Sequence, residues 1–237
     1  MAKRGAKPKR REVVWSPELA YAVGLVATDG NLSSDGRHLS LTSKDIEQLK
    51  NFMRCINKKV KIGKKKSSYT GKTTTHVQFG DVVLYDFLLT IGLTPNKTKT
   101  IGALTIPEEY FFDFLRGHHD GDGSFYSYYD PRWRSSFMFY LSFISASRAH
   151  VEWIRSELER RLGVRGHLTT SKRSPVIQLK YAKAEALKIL KRMYQKPQVV
   201  CLARKRLKIV KALRIVGESL PNGRKNARVL KLVDIYP

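Results

Sequence analysis

"AVGLVATDGNL", residues 22–32, runs from small and apolar residues into an Asp-Gly pair. "FLRGHHDGDGSF", residues 114–125, repeats this arrangement in the second half of the chain. Each stretch predicts a helix that ends at an aspartate, Asp29 in the first and Asp122 in the second. The chain has only 20 acidic residues against 45 basic ones, so two matched carboxylates at helix ends need an explanation.

Small residues recur every four positions in both predicted helices: Ala20, Gly24 and Thr28, then Gly117 and Gly121. This spacing places them on one face of each helix. Glycine inside a helix costs about 1 kcal/mol, so its presence indicates close packing of the two helices. The two aspartates would then lie side by side.

Two carboxylates roughly 6 Å apart repel by about 3 kcal/mol at an effective dielectric constant of 20. Helix C-termini also carry negative partial charge, so a cation is favoured there. Oxygen ligands suit Mg²⁺ or a similar ion, which beside a phosphodiester can support hydrolysis. Either Asp-Gly pair alone would be an ordinary helix-ending turn.

The second stretch contains two further patterns that are typical of metal sites. "DGDGSF" is not a calcium loop, because Phe125 and Pro131 occupy positions that require Gly and Glu. His118 and His119 are candidate metal ligands, but packed helical histidines are the favoured interpretation because the first half has Leu25 and Val26 instead.

The composition favours a nucleic-acid-binding protein. The 237 residues carry a net charge of +25, which indicates a polyanionic partner. No apolar run reaches the roughly 18 residues of a membrane span, and no signal peptide is recognised, so we expect an intracellular protein of the cytoplasm, nucleoid or an organelle matrix. Cys55 and Cys201 form no CxxC motif. A ribosomal or architectural protein would show a similar composition.

The order of predicted elements repeats. We predict αββαββα twice, in an α+β fold of two pseudo-twofold-related halves with antiparallel sheets. Helices are predicted at 17–29, 44–57, 81–91, 107–122, 147–162 and 182–194, and strands at 58–66, 73–79, 164–171 and 175–180, beside two hairpins. The predicted units are a basic arm 1–15, halves 16–105 and 106–215, and a tail 216–237.

Alternating residues in the strands predict one face packed on helices and one polar face, which we interpret as a DNA-binding surface. The candidate DNA contacts are Arg37, His38, Ser40, Thr42, Lys59, Lys61, Lys64, Thr74, His76, Gln78, Arg132, Arg134, Met138, Tyr140, Ser142, Arg165, His167, Thr169, Gln178 and Lys180.

"AVGLVATDG" (22–30) and "LRGHHDGDG" (115–123) resemble two copies of the LAGLIDADG motif, and the chain resembles a single-chain LAGLIDADG homing endonuclease over about residues 16–215. The resemblance implies a monomeric saddle of two antiparallel sheets that grips double-stranded DNA, with the motif helices at the centre. It implies cleavage of both strands with Mg²⁺ or Mn²⁺, leaving short 3′ overhangs. The strand lengths and the different outward residues of the two halves predict that the target is long and non-palindromic. We expect Ca²⁺ to support binding without efficient cleavage.

By this resemblance, Asp29 and Asp122 are catalytic metal ligands, and the carbonyls of Thr28 and Gly121 join them. The motif position that is often acidic holds Ala27 in the first copy and Asp120 in the second, so the two sites are chemically unequal.

A lysine near each scissile phosphate is also implied, and Lys97 and Lys205 are the candidates. Their rivals are Lys99, Arg204 and Arg206. The alternative functions are an intron RNA maturase, with host intron RNA as partner, and a DNA-binding protein that does not cut. Retention of both aspartates favours cleavage. No intein splicing residues are recognised at either end.

Overall fold

The computed structural model describes residues 12–66, 71, 73–171 and 174–221. Most of the predicted basic arm and most of the predicted tail therefore lie outside the described residues. In the first half the elements are α1 (Pro17–Asp29), β1 (Gly30–Leu32), β2 (His38–Ser43), α2 (Ile46–Cys55), β3 (Gly63–Lys66), β4 (Thr73–Gly80) and α3 (Val82–Thr90). In the second half they are α4 (Phe111–Asp122), β5 (Ser124–Asp130), β6 (Trp133–Ser145), α5 (Arg148–Leu162), β7 (His167–Ser171), β8 (Ser174–Ala182) and α6 (Lys183–Met193), followed by α7 (Ala203–Ile215).

The predicted α+β class and the twofold αββαββα order are confirmed. The strand order is β1-β2-β4-β3 in the first sheet and β5-β6-β8-β7 in the second, and every pairing is antiparallel. One face of each sheet is buried against helices, by Leu39 and Leu41 in β2 and by Phe139 and Leu141 in β6. The other face of each sheet carries partly exposed side chains, such as Ser40 in β2 and Tyr140 in β6.

The helix boundaries mostly follow local sequence signals. Ser16 caps α1, since its Oγ accepts a hydrogen bond from the Leu19 amide at 3.1 Å, and Pro17 takes the first helical position as predicted. α4 begins at Phe111 rather than at 107, because a 3₁₀ turn, Glu108–Tyr110, precedes it. Helix α7 was not predicted. No helix in the described ranges has the length and apolar character to cross a membrane.

Two strands start later than predicted. β3 begins at Gly63, because the preceding residues pack on the core through Val60 and Ile62 and do not join the ladder. β7 begins at His167, because Gly166 has a φ of +59°, which extended strands do not adopt.

The two motif helices, α1 and α4, pack directly against each other, as the small-residue spacing predicted. A Cβ added to Gly24 would lie 2.2 Å from the Phe114 carbonyl oxygen, and one added to Gly117 would lie 2.0 Å from that of Tyr21. Backbone meets backbone at both crossings, so no larger residue fits there. This contact joins the two halves into one core.

Candidate active site at the ends of the paired helices

The contact between α1 and α4 brings their C-terminal ends together. A Cβ added to Gly121 would lie 1.9 Å from Thr28 Oγ1 and 3.1 Å from Asp29 Oδ2. Asp29 and Asp122 are the last residues of the two helices, and the side chain of Asp29 is partly buried while Asp122 is exposed. The site therefore opens to solvent on the Asp122 side.

The surroundings of Asp29 disfavour the negative charge of its carboxylate. Burial, followed by the negative charge of Asp122, raises its pKa to about 6, although a hydrogen bond from Gln48 and the charges of Lys205 and Lys97 act in the opposite direction. Asp122 is exposed as a residue, but partial burial of its carboxyl group also raises its pKa, again against the two lysines. A bound cation would relieve this repulsion.

Gln48 is a site residue that the sequence reasoning missed. Its Nε2 donates to Asp29 Oδ2 at 2.5 Å, and its Oε1 accepts from Ser43 Oγ at 2.9 Å, so the amide orientation is fixed. Gln48 is buried on the inner side of α2. A polar residue on the apolar face of an amphipathic helix was the available signal, although it does not identify the partner.

A buried or half-buried lysine lies at each helix end. Lys97 Nζ donates to the carbonyl oxygen of Gly30, and Lys205 Nζ donates to that of Gly123 at 2.8 Å; these glycines follow the two aspartates. Lys205 Nζ also contacts the Gly121 carbonyl oxygen at 3.2 Å. Burial lowers the pKa of both lysines to about 8, against the pull of the carboxylates.

The rival cations are engaged elsewhere or exposed. Arg204 Nε donates to Asp45 Oδ2 at 2.7 Å, and the Arg206 guanidinium lies 6.0 Å from the centre of the Tyr194 ring. Lys99 is exposed. Of the candidate cations, Lys97 and Lys205 are therefore the two that the structure brings to the helix ends.

Asp120 faces away from the two catalytic candidates and into the protein. Its Oδ2 accepts from Tyr21 Oη at 2.8 Å and from the Leu202 amide at 2.7 Å, and the residue is 1% exposed. The carboxylate therefore anchors the chain that leads into α7. The two motif copies therefore differ at the position of Ala27 and Asp120, as expected, but the Asp120 carboxylate stabilises the interior and does not face the open site.

The two motif histidines are packed core residues, as favoured from the sequence. His118 and His119 are buried, and the His118 ring stacks on His150 with centroids 5.2 Å apart. Burial lowers the pKa of all three rings, so they are neutral at pH 7. His, Cys, Asp and Glu form no group of three with metal-binding geometry in the part of the chain that the structure describes.

The oxygen donors at the helix ends nevertheless suit a hard divalent cation. Asp29 and Asp122 both have raised pKa values there, and the side chains of Thr28 and Asp29 lie against Gly121. Waters and a phosphate oxygen normally complete the shell of Mg²⁺. A cleft of about 730 Å³ adjoins Asp29 and Gly121 and leaves room for them.

Most candidate DNA contacts lie on the open faces or edges of the sheets. The cross-strand pairs there include Thr42 with His76, Ser40 with Gln78, Met138 with Tyr128, Thr169 with Gln178, and His167 with Lys180. At the surface the exposed candidates are Arg37, Thr42, Lys59, Lys61, Lys64, Gln78, Arg132, Arg165, His167 and Thr169, and the partly exposed ones are His38, Ser40, Thr74, His76, Met138, Tyr140, Gln178 and Lys180.

Ser142 is a correction to the predicted surface. It shares the strand face of Tyr140, but it is fully buried, because its short side chain lies between the paired residues Ser124 of β5 and Lys180 of β8. The side chain of Arg134 lies outside the described residues.

Comparisons in sequence give no result: no protein-family model matches the chain, and no curated protein matches it. Solved structures do match. The meganuclease I-SmaMI bound to uncleaveable DNA superposes with a TM-score of 0.56 at 14% identity, over 93% of this chain and 97% of that one. The homing endonuclease I-WcaI bound to its DNA recognition sequence gives 0.57 at 13% identity, over 86% and 95%. The N-terminal LAGLIDADG domain of DUF199/WhiA gives 0.50 at 16% identity, over 78% and 85%. The chain has the single-chain LAGLIDADG fold.

The two Asp-Gly stretches that resemble the LAGLIDADG motif form the C-terminal ends of α1 and α4. Identities of this size establish the architecture alone. The chemistry has to be argued from the residues of this chain.

Proposed function

We propose that the protein is a site-specific endonuclease that cuts both strands of duplex DNA with a divalent metal ion. One observation carries this proposal: two carboxylates, Asp29 and Asp122, lie at adjoining helix ends, each accompanied by a lysine held at the same helix terminus. A packing role does not explain this arrangement, because it places like charges together.

Asp29 and Asp122, with the carbonyls of Thr28 and Gly121, would hold Mg²⁺ or Mn²⁺. Such an ion, when bound, polarises a phosphate and lowers the pKa of a bound water. Gln48 keeps the Asp29 carboxylate in one orientation. Lys97 and Lys205 supply positive charge for the negative charge that develops on the phosphate.

The DNA is contacted by the open faces of the two sheets. A strand of about eight residues spans about eight base pairs, so two halves cover on the order of twenty base pairs. The faces differ, since β2 and β4 present hydroxyl and amide groups where β5 and β6 present tyrosines and a methionine. The target is therefore non-palindromic, and one chain binds one duplex. Short 3′ overhangs follow from cleavage across the minor groove, as in the family that the chain resembles.

The test is a cleavage assay beside a binding titration on the same duplex and at the same salt concentration. Asp29→Asn and Asp122→Asn each retain binding and lose at least about 100-fold in double-strand cleavage, because a neutral amide is a poor ligand for a hard cation. Glu152→Gln, an exposed change on α5, is the matched control and cuts normally. Ca²⁺ in place of Mg²⁺ supports binding with little cutting.

Two outcomes contradict the proposal. Near-normal cleavage by both Asn variants places the active site elsewhere. Specific binding by the unaltered protein without cleavage in Mg²⁺ or Mn²⁺ supports the alternative, a binding protein of the same fold. Specific binding to structured RNA in the same titration supports a maturase role.

A further inference from the structure

Three tyrosines on the second sheet form a single stacked cluster, made of Tyr126, Tyr128 and Tyr140. The Tyr126 and Tyr140 ring centroids are 5.2 Å apart with planes 14° from parallel. Tyr128 lies 6.3 Å from Tyr140 and 6.4 Å from Tyr126, with planes within 9°. Because each ring is braced by two others, the cluster loses little conformational entropy when it binds a partner.

The cluster stands on the open face of the sheet. Tyr126 is paired with Tyr140 across β5 and β6, and Tyr128 is paired with Met138, which extends the apolar surface. Tyr126 and Tyr128 are 43% and 41% exposed, whereas Phe125 and Phe139, on the opposite face, are buried. An apolar patch on a strongly basic protein is not explained by solubility and indicates a contact surface.

The corresponding region of the first sheet is polar. There β1 has only three residues, and its Asn31 is paired with Ser40 of β2. By contrast, β5 has seven residues and carries two exposed tyrosines, Tyr126 and Tyr128, on the open face. The two DNA-facing surfaces therefore differ most at the β5–β6 hairpin.

We propose that Tyr126, Tyr128, Tyr140 and Met138 recognise thymine methyl groups in the major groove of the half-site bound by the second sheet. The 5-methyl group of thymine is the apolar group that a base pair presents there, and apolar side chains are its usual contact. Cations flank the patch: Lys180 lies on β8 of the same sheet, and Arg132 is exposed at the hairpin turn. These cations suit the phosphates on either side. This inference rests on the proposed function, but only on its DNA-binding part.

The experiment measures binding, so that it stays separate from cleavage. The Asp122→Asn variant, in Ca²⁺, selects its preferred site from random duplex DNA. Each thymine of the half-site protected by β5 and β6 is then replaced by deoxyuridine, which removes only the methyl group. We expect a three- to fivefold loss of affinity per contacted methyl, the value for about one buried methyl group. The same replacement in the other half-site has a smaller effect.

Variants assign the effect to the cluster. Tyr126→Ala combined with Tyr128→Ala abolishes the discrimination between thymine and uracil, whereas Tyr128→Phe retains it because the ring remains. Tyr129→Ala is the control, since Tyr129 lies on the other side of the same strand against Phe137. The inference is overturned by a selected half-site without thymine on either strand, by equal affinity for the uracil duplex, or by tighter binding to single-stranded DNA. If the unaltered protein binds with this discrimination and does not cut, the proposed catalysis alone has failed.

Discussion

The ends of α1 and α4 share one backbone geometry but have different neighbours. Gly30 and Gly123 leave their helices with nearly the same extended angles, φ −88° and ψ 155° against φ −76° and ψ 158°. Gln48, three residues after the N-cap of α2, donates a hydrogen bond to Asp29. The same position of α5 is His150, whose Nδ1 faces the carbonyl oxygen of Gly102 at 2.8 Å instead.

The second half uses its polar residues to hold the chain between α6 and α7. Arg116 Nη1 donates to the Met193 carbonyl oxygen at 2.7 Å and Arg116 Nε to that of Val200 at 2.8 Å, while Asp120 binds the Leu202 amide. This chain then delivers Lys205 to the end of α4. The two halves of this chain therefore share their backbone packing more closely than the chemistry around each helix end.

The largest expected effect tests the part that both halves share. Gly24→Ala and Gly117→Ala should each destabilise the protein by about 3 kcal/mol, because the new methyl group overlaps backbone atoms that cannot move aside. Chemical denaturation measures the change. Gly102→Ala is the control, since a Cβ there has nothing within 4 Å and no positive φ. Unequal losses in the two glycine variants would show that the helix contact is less symmetric than the two crossings suggest.

The second prediction separates the two acids of the second motif. Asp120→Ala should cost about 2–3 kcal/mol of stability, because the Tyr21 hydroxyl and the Leu202 amide lose their acceptor in the interior. The folded fraction should still cut DNA. Asp122→Asn should do the opposite, with a small change in stability and a loss of cleavage. Denaturation curves and cleavage rates per folded molecule are the measurements. If Asp120→Ala lost as much cleavage activity as Asp122→Asn, Asp120 would take part in catalysis.

The sequence predicted what depends on local pattern. The small-residue spacing predicted the α1–α4 contact, and Ser16-Pro17 predicted the first helix start. It did not predict Gln48 on Asp29 or helix α7, because both depend on contacts between residues far apart in the chain. The basic run at 58–66 resembled one strand, yet Val60 and Ile62 pack on the core and only Gly63–Lys66 pair with β4. The burial of Ser142 likewise depends on neighbouring strands rather than on alternation within its own.

The third prediction concerns the rate of cleavage, because Gln48 contacts Asp29 whereas His150, at the same position of α5, does not contact Asp122. Gln48→Ala should slow cleavage of one strand by roughly tenfold, since Asp29 loses the donor that orients it and lowers its pKa. The other strand should be cut at close to the normal rate, so nicked plasmid should accumulate. Strand-specific end labels distinguish the two cuts. The control is Lys50→Ala on the exposed side of α2. Equal slowing of both strands would mean that Gln48 serves the two sites jointly.

The smallest expected effect is a dependence of stability on pH. Asp29 has a folded-state pKa of about 6, above the ordinary value of 3.8, so folding favours its protonated form. The contribution of Asp29 to the free energy of folding is therefore most favourable below pH 3.8 and is lost as pH rises through 6. Asp29→Asn, compared with the unaltered protein in metal-free buffer, should gain relative stability across pH 4–6 and then level off. The gain should be about 1 kcal/mol, because solvent screens a partly exposed carboxylate.

Asp122→Asn should show the same sign, since its pKa is also raised. Asp35→Asn should show the opposite sign, because a hydrogen bond with His38 lowers the pKa of Asp35 and its stabilisation disappears as pH falls. Mg²⁺ should reduce the gain of both Asn variants at pH 7, since the bound cation offsets the repulsion that the amide removes. A gain that persists unchanged in Mg²⁺ would mean that the two carboxylates do not share a cation, and the proposed metal site would be wrong.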